Sequence, residues 1–165
     1  TGKYFGYQYS DTVPDIVVLA KGLAGSLPLS CIVGNNKIMD SIPPGIIGGT
    51  FQGNALSFAV ATETLRIIKE TNILEDCLRK GGYIHNSLYK HNDKIKYFRG
   101  RGLMLAIEFE TQEMTDKFFN LCLENDILLM KCNYPKTLRF LPPLYISYEE
   151  IDQFSCCVDK IIKDI

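Results

Sequence analysis

No apolar run in the 165-residue chain is long enough to cross a membrane. The longest, IVVLA and the stretch from Leu138 to Ile146, are strand-sized or broken by prolines. Charge of one sign is missing too: 18 Lys and Arg stand against 19 Asp and Glu, interspersed along the whole length, for a net charge of −1. That balance excludes a nucleic-acid tail, a polybasic membrane patch and an acidic arm, and it suits small, roughly neutral partners. The six cysteines, at positions 31, 77, 122, 132, 156 and 157, have neither the CxxC spacing of a zinc site nor the density of a disulfide scaffold. They read as buried reduced thiols in a cytoplasmic protein. Cys156 and Cys157 are neighbours in a predicted helix, where consecutive side chains diverge, so no bridge between them is expected. Neither an initiator Met nor a signal peptide opens the sequence, and TGKYFGYQYS starts abruptly, so a fragment is expected. There is no internal repeat and no low-complexity tract.

What is present is an apolar content of 46%, enough for one domain or two small ones. DIVVLA is a β-branched run that predicts a buried strand ending at Lys21, GLAGSLP a turn, and LSCIVG a second short strand. Asn35 and Asn36 can cap a short helix through Ile42, which SIPPG stops. After GGTFQGN, with Asn54 as a helix cap, three- and four-residue apolar spacings predict two helices, joined near Lys69 to Asn72 or near Gly81-Gly82. RGRGLMLAIEFE reads as a strand with Leu103, Leu105, Ile107 and Phe109 on one face. QEMTDKFFNLCLEN reads as a helix, ILLMKC and TLRFLPPLYIS as strands. The last segment is a helix capped by Ser147, with Glu150 in the capping-box position. The expected division lies near Asn92 to Lys96, with strands and long helices before it and a small α+β unit after.

Lys21 lies between an apolar strand and a glycine turn. A desolvated ammonium loses its charge more readily and becomes a nucleophile able to form a Schiff base; a solvated surface lysine is the alternative. GGTFQGN offers glycines, a threonine hydroxyl and free N–H groups at a helix start, which suit a phosphate, or it is a tight turn with an ordinary cap. Arg139, inside an apolar run, either reaches solvent at a sheet edge or meets a carboxylate. Arg99 and Arg101 in FRGRG are anion contacts or a solvated turn. His85 and His91 are spaced poorly for a shared metal, and no metal site is expected.

Together these segments resemble the class III aminotransferases of the pyridoxal-phosphate (PLP) fold type I group. The matching stretches are TGKYFGYQYSDTVPDIVVLAKGLAGSLPLSCIVG, GGTFQGNALSFAVATETLRII, RGRGLMLAIEFE and TLRFLPPLYISYEEID, which run in the family's order over nearly the whole chain. The resemblance implies an α/β fold: residues 1–92 as the C-terminal part of the PLP-binding large domain with its long helices, and residues 93–165 as the small α+β C-terminal domain. It implies that Lys21 is the Schiff-base lysine and proton shuttle, that Thr50 binds the cofactor phosphate in the neighbouring subunit of a homodimer, and that Arg139 holds a substrate carboxylate. The reaction implied moves an amino group from an amino-acid donor, ω-amino acids included, to a 2-oxo acid such as 2-oxoglutarate or pyruvate. Racemase, mutase or decarboxylase chemistry on the same cofactor, and a non-catalytic dimerisation piece, are the alternatives. Ser26 and Ser30 stand where the family commonly has glycine, and Gln52 and Ala55 where it often has Gly and Pro. The family's aspartate for the pyridine nitrogen precedes the segment that TGKYFG matches, so the chain alone is expected not to transaminate.

Overall fold

The computed structural model describes residues 1–165. It divides into two compact units, Gly6–Asn72 and a second made of Thr1–Phe5 with Ile73–Ile165.

In the first unit, β1 (Ile16–Leu19) pairs antiparallel with β2 (Cys31–Gly34), Ile16 opposite Gly34 and Leu19 opposite Cys31. Between them Lys21–Ala24 form a 3₁₀ turn. A single-turn helix, α1 (Asn36–Met39), follows; Asn35 caps it by accepting from the Ile38 N–H at 3.0 Å. The long helix α2 (Ala55–Glu70) begins where Asn54 Oδ1 accepts from the Ser57 N–H at 3.0 Å, satisfying one of the orphan donors of its first turn. Ser57 Oγ in turn donates to Pro28 O at 3.2 Å, tying the helix start to the segment before β2. One expectation is overturned here. β1 is not buried: Val18 is 70% exposed and Ile16, Ile32 and Val33 are exposed with it, while Val17 and Leu19 on the other face are only half-buried, because a two-stranded ribbon has a single neighbour and too little of the unit packs on it.

The second unit holds the core. α3 (Ile73–Tyr89) is followed by the hairpin β3 (Ile95–Arg101) and β4 (Met104–Phe109), α4 (Gln112–Glu124), the two-residue β5 (Met130–Lys131), β6 (Thr137–Phe140) and α5 (Tyr148–Ile161). The four strands form an antiparallel sheet in the order β3-β4-β6-β5. Its inner face contributes Leu105, Ile107, Phe109 and Leu138, against Phe118 and Cys122 of α4 and Ile151 and Val158 of α5. Period-two burial along β4 and helical-period burial along α4 and α5 meet in one apolar cluster, which supplies the main driving force for this unit.

RGRGLMLAIEFE is therefore not one strand. Gly102, at φ 56°, turns the chain between β3 and β4, a left-handed conformation glycine adopts without strain. The two helices expected after GGTFQGN part at Thr71-Asn72, and α3 runs straight through Gly81-Gly82. Gly81 is needed there for proximity, since a Cβ on it would lie 2.1 Å from Gly102 O. Placing Cys77, Ile84 and Leu88 in the same apolar cluster makes α3 part of the C-terminal unit, so the structural division falls at Asn72/Ile73, earlier than residue 92. At the chain's end, Ser147 and Glu150 close the expected capping box of α5, with Ser147 N–H donating to Glu150 Oε2 at 2.7 Å and Glu150 N–H to Ser147 Oγ at 3.1 Å.

Candidate functional site

β1 ends at Leu19, Ala20 is extended, and Lys21 then enters the left-handed region at φ 57° before the 3₁₀ turn closes on Gly25, itself at φ 59°. A residue with a Cβ held at positive φ carries a cost of about 1–2 kcal/mol, and such conformations gather at functional sites. The result is a lysine projected from the strand end. Its side chain is exposed, so the desolvation expected from its place next to an apolar strand is not realised in this unit by itself, and no carboxylate pairs with its ammonium.

Lys21 borders a cleft of about 1170 Å³ whose lining includes Ser26, Ser30 and Cys31 as well as Gly48, Gly49 and Gly53. The glycine side is open: a Cβ on Gly49 or Gly53 would meet nothing within 4 Å, and one on Gly48 only Gln52 Oε1 at 3.6 Å. The backbone of GGTFQGN can thus be approached closely by a ligand. Thr50 is at the corner of a turn closed by Gln52 N–H donating to Gly49 O at 2.9 Å, and its side chain is exposed outside the cleft that Lys21 borders. The fold therefore brings Lys21 and the glycine loop together, and Thr50, between the lining residues Gly49 and Phe51, does not itself border the cleft.

An amine, two serine hydroxyls and an accessible glycine backbone fit an aldehyde-bearing phosphate cofactor such as PLP. What the cleft lacks is a carboxylate to pair with a pyridine nitrogen, for no Asp or Glu borders it.

Arg139 belongs to the other unit. It lies on β6 directly opposite Ala106 of β4 and Met130 of β5, on the outer sheet face, half-buried and without an ion pair or hydrogen bond to its guanidinium. Arg99 lies opposite Ala106 from the other side, and its guanidinium is engaged: Glu108 accepts from it at 2.5 Å, and the rings of Tyr97 and Tyr134 lie 5.1 and 5.9 Å away. This pairing was within reach of the sequence, because alternation in LMLAIEFE puts Glu108 on the face opposite Leu105, Ile107 and Phe109. Arg101 is engaged as well. His85 packs edge-on to Phe98 at 4.6 Å, and His91 Nε2 is 2.7 Å from Asp159 Oδ1; both histidines are structural.

The family model for class-III aminotransferases matches residues 1–162. The chain belongs to the class-III aminotransferases. Within that family it is 38% identical, over 99% of its length, to the acetylornithine aminotransferase of Listeria innocua, and 35% identical, again over 99%, to ornithine aminotransferase 1 of Staphylococcus aureus. It spans about two fifths of these relatives, 42% of the first and 41% of the second. Among solved structures, the acetylornithine aminotransferase of Elizabethkingia anophelis superposes on the whole chain with a TM-score of 0.87 at 34% identity, using 43% of its own length. An ornithine aminotransferase of Toxoplasma gondii superposes on 99% of the chain with the same score at 32% identity, using 40% of its length. Another structure of the Toxoplasma enzyme carries PLP at partial occupancy in its active site.

As a class-III aminotransferase chain, the molecule has a mixed α/β fold that matches part of the larger fold type I enzymes. No helix is long and apolar enough to cross a membrane, and all six cysteines are free.

Proposed function

We propose that the protein is a PLP-dependent aminotransferase that moves an amino group from an amino-acid donor to a 2-oxo acid, with Lys21 as the amine that anchors the cofactor. The observation that carries this reading is the strained, unpaired Lys21 bordering one cleft with the open glycine backbone of Gly48, Gly49 and Gly53. PLP, when bound, supplies an electrophilic carbon and an electron-withdrawing ring. Lys21 would hold the cofactor through Nζ, and its amine, when free, would accept a proton from the substrate and return it as general base and acid. A flexible four-carbon stem on a fixed backbone suits both tasks.

Thr50 is exposed and does not border the Lys21 cleft, and its neighbour Phe51 is 85% exposed. Both features support a homodimer in which the Thr50 hydroxyl serves the phosphate held by a second copy. Arg139, half-buried and free of a carboxylate partner, takes the substrate carboxylate in a bidentate grip that fixes its orientation. The names of the relatives, ornithine and acetylornithine aminotransferase, support a donor that carries a carboxylate at one end and the reacting amine at the other, with 2-oxoglutarate as a fitting acceptor. Six free thiols favour a cytoplasmic setting. Because no carboxylate borders the Lys21 cleft, the 165-residue chain by itself does not transaminate.

Borohydride reduction in the presence of PLP, followed by peptide mapping, tests the anchor. A pyridoxyl adduct concentrated on Lys21 and absent from K21A is the expected outcome. Label spread evenly over the surface lysines would remove the basis of the proposal.

A further inference from the structure

Three residues of the Gly6–Asn72 unit are buried: Ala24, at the end of the turn that carries Lys21, and Ser57 and Ala61, one helical turn apart on α2. α2 packs on that turn, and a Cβ added to Gly25 would lie 3.7 Å from Val60 Cγ1. Ser57 is the one polar side chain among the three, at 1% exposure.

Its hydroxyl is used differently from the others of α2. Thr62 and Thr64 donate back to their own helix, to Phe58 O at 2.8 Å and to Val60 O at 2.9 Å, the usual outlet for a helical hydroxyl. Ser57 Oγ instead donates to Pro28 O at 3.2 Å, 29 residues away in sequence. Shielded from water, it cannot exchange this acceptor for solvent, so the bond persists while the unit is folded.

The bond joins two segments that both line the Lys21 cleft. From Lys21 the chain reaches Pro28 through turns closed by Gly25 N–H to Gly22 O at 3.3 Å and Leu27 N–H to Ala24 O at 3.0 Å. The other segment runs from Gly48, Gly49 and Gly53 to Asn54, whose side chain caps the Ser57 N–H. The β1–β2 ladder ends at the pair Leu19 and Cys31, short of Lys21. A lysine at φ 57° keeps that backbone only where its surroundings fix it. In a unit with so small an interior, α2 supplies the fixation through Ala24 and Ser57.

We propose that Ser57 is a positioning residue for Lys21, holding the lysine's turn at a set distance from the glycine loop that leads into α2. This rests on the reading of Lys21 as the cofactor anchor and adds what aims it. The amine meets a ligand seated on the glycine backbone in the right orientation only at that spacing.

The test compares S57A, which removes the hydroxyl and leaves an N–H for Asn54 to cap, with T64A, which removes a hydroxyl bond that stays inside α2. Two quantities are measured on the folded chain: exchange of the Leu27 amide, and the share of pyridoxyl label that Lys21 takes from limiting PLP and borohydride. S57A speeds Leu27 exchange about tenfold, the scale of one hydrogen bond. Phe58, whose N–H donates to Asn54 O at 3.1 Å, keeps its rate. S57A also lowers the Lys21 share severalfold, and T64A changes neither. Leu27 exchange equal in S57A and wild type, equal acceleration in T64A, or an undiminished Lys21 share in S57A overturns the inference. Should wild type show no preference for Lys21 while S57A still loosens Leu27, the hold of Ser57 on the turn stands and the anchor reading of Lys21 fails. S57C, of similar size but a poor donor, gives the same comparison if S57A does not fold.

Discussion

Ser155 Oγ donates to Ser87 Oγ across 2.9 Å, joining α5 to α3 inside the C-terminal unit. Two further contacts flank it, Tyr83 with Asp152 at 2.7 Å and His91 with Asp159 at 2.7 Å. Positions 83 and 87 of α3 and 91 in the turn just after it meet 152, 155 and 159 of α5, so the two helices run side by side in the same direction with a polar seam along their contact. Ser87 also donates to Ile84 O at 2.9 Å, which leaves its oxygen as the acceptor for Ser155.

With Ser155 buried and Ser87 half-buried, S155A and S87A should each cost about 1 kcal/mol, and the double variant should cost less than their sum. A urea-denaturation double-mutant cycle measures that coupling. A coupling indistinguishable from zero would mean that the hydroxyls act independently.

The acid limb of stability should depend on Asp159. Burial disfavours its charged form, but hydrogen bonds from Lys90 at 2.6 Å and from His91 outweigh that and hold the carboxyl below the usual aspartate range. A group whose pKa is lower when folded contributes stability that is complete above its unfolded value, about 3.9, and is lost as pH falls through the folded value. D159N should therefore flatten the loss of stability below about pH 4 relative to wild type. Denaturation curves collected from neutral pH downward give the slope, and an unchanged slope in D159N would assign the acid limb to other carboxylates such as Asp116 and Glu150, which are also held low.

Strain at Lys21 predicts an unusual order of stabilities. Alanine keeps the Cβ that makes φ 57° unfavourable and glycine removes it, so K21G should exceed K21A by about 1 kcal/mol even though glycine loosens the unfolded chain. Thermal unfolding of the two variants compares them directly. The reverse order would show that Lys21 leaves the left-handed region in solution.

The thiols should differ in reactivity. Cys122 is fully buried, and burial first, then the neighbouring Cys157, push its thiol up to about 12. Cys31 and Cys156 are exposed. At pH 8, iodoacetamide should modify the exposed pair and leave Cys122 unlabelled, because Cys122 is both buried and held as the thiol. Mass spectrometry of the labelled peptides reads the ratio, and prompt labelling of Cys122 would contradict the packing of α4 against the core.

Local chemistry is legible in the order of the residues alone. Asn35 and Asn54 as caps, the Ser147–Glu150 box, the inward faces of α4 and α5, and Lys21 at a strand's end all depend on residues within a few positions of one another, and the folded chain has each of them. The lengths of β3 and β4, the division at Asn72/Ile73 and the exposure of β1 do not follow from the same patterns, because they depend on which distant segments supply a neighbour. The residue types alone offer Arg99, Arg139 and Glu108 as separate charges. Only the sheet order β3-β4-β6-β5 and its register bring all three to one sheet face and set Arg99 against Glu108, since strand pairing between segments some thirty residues apart is decided by the packing of the whole inner face. Lys21 gives the same division in one residue. Its place after an apolar strand and before a glycine turn is written in the chain, whereas its left-handed backbone and its shared cleft with Gly48, Gly49 and Gly53 arise only when β1, β2 and the loop before α2 are brought together.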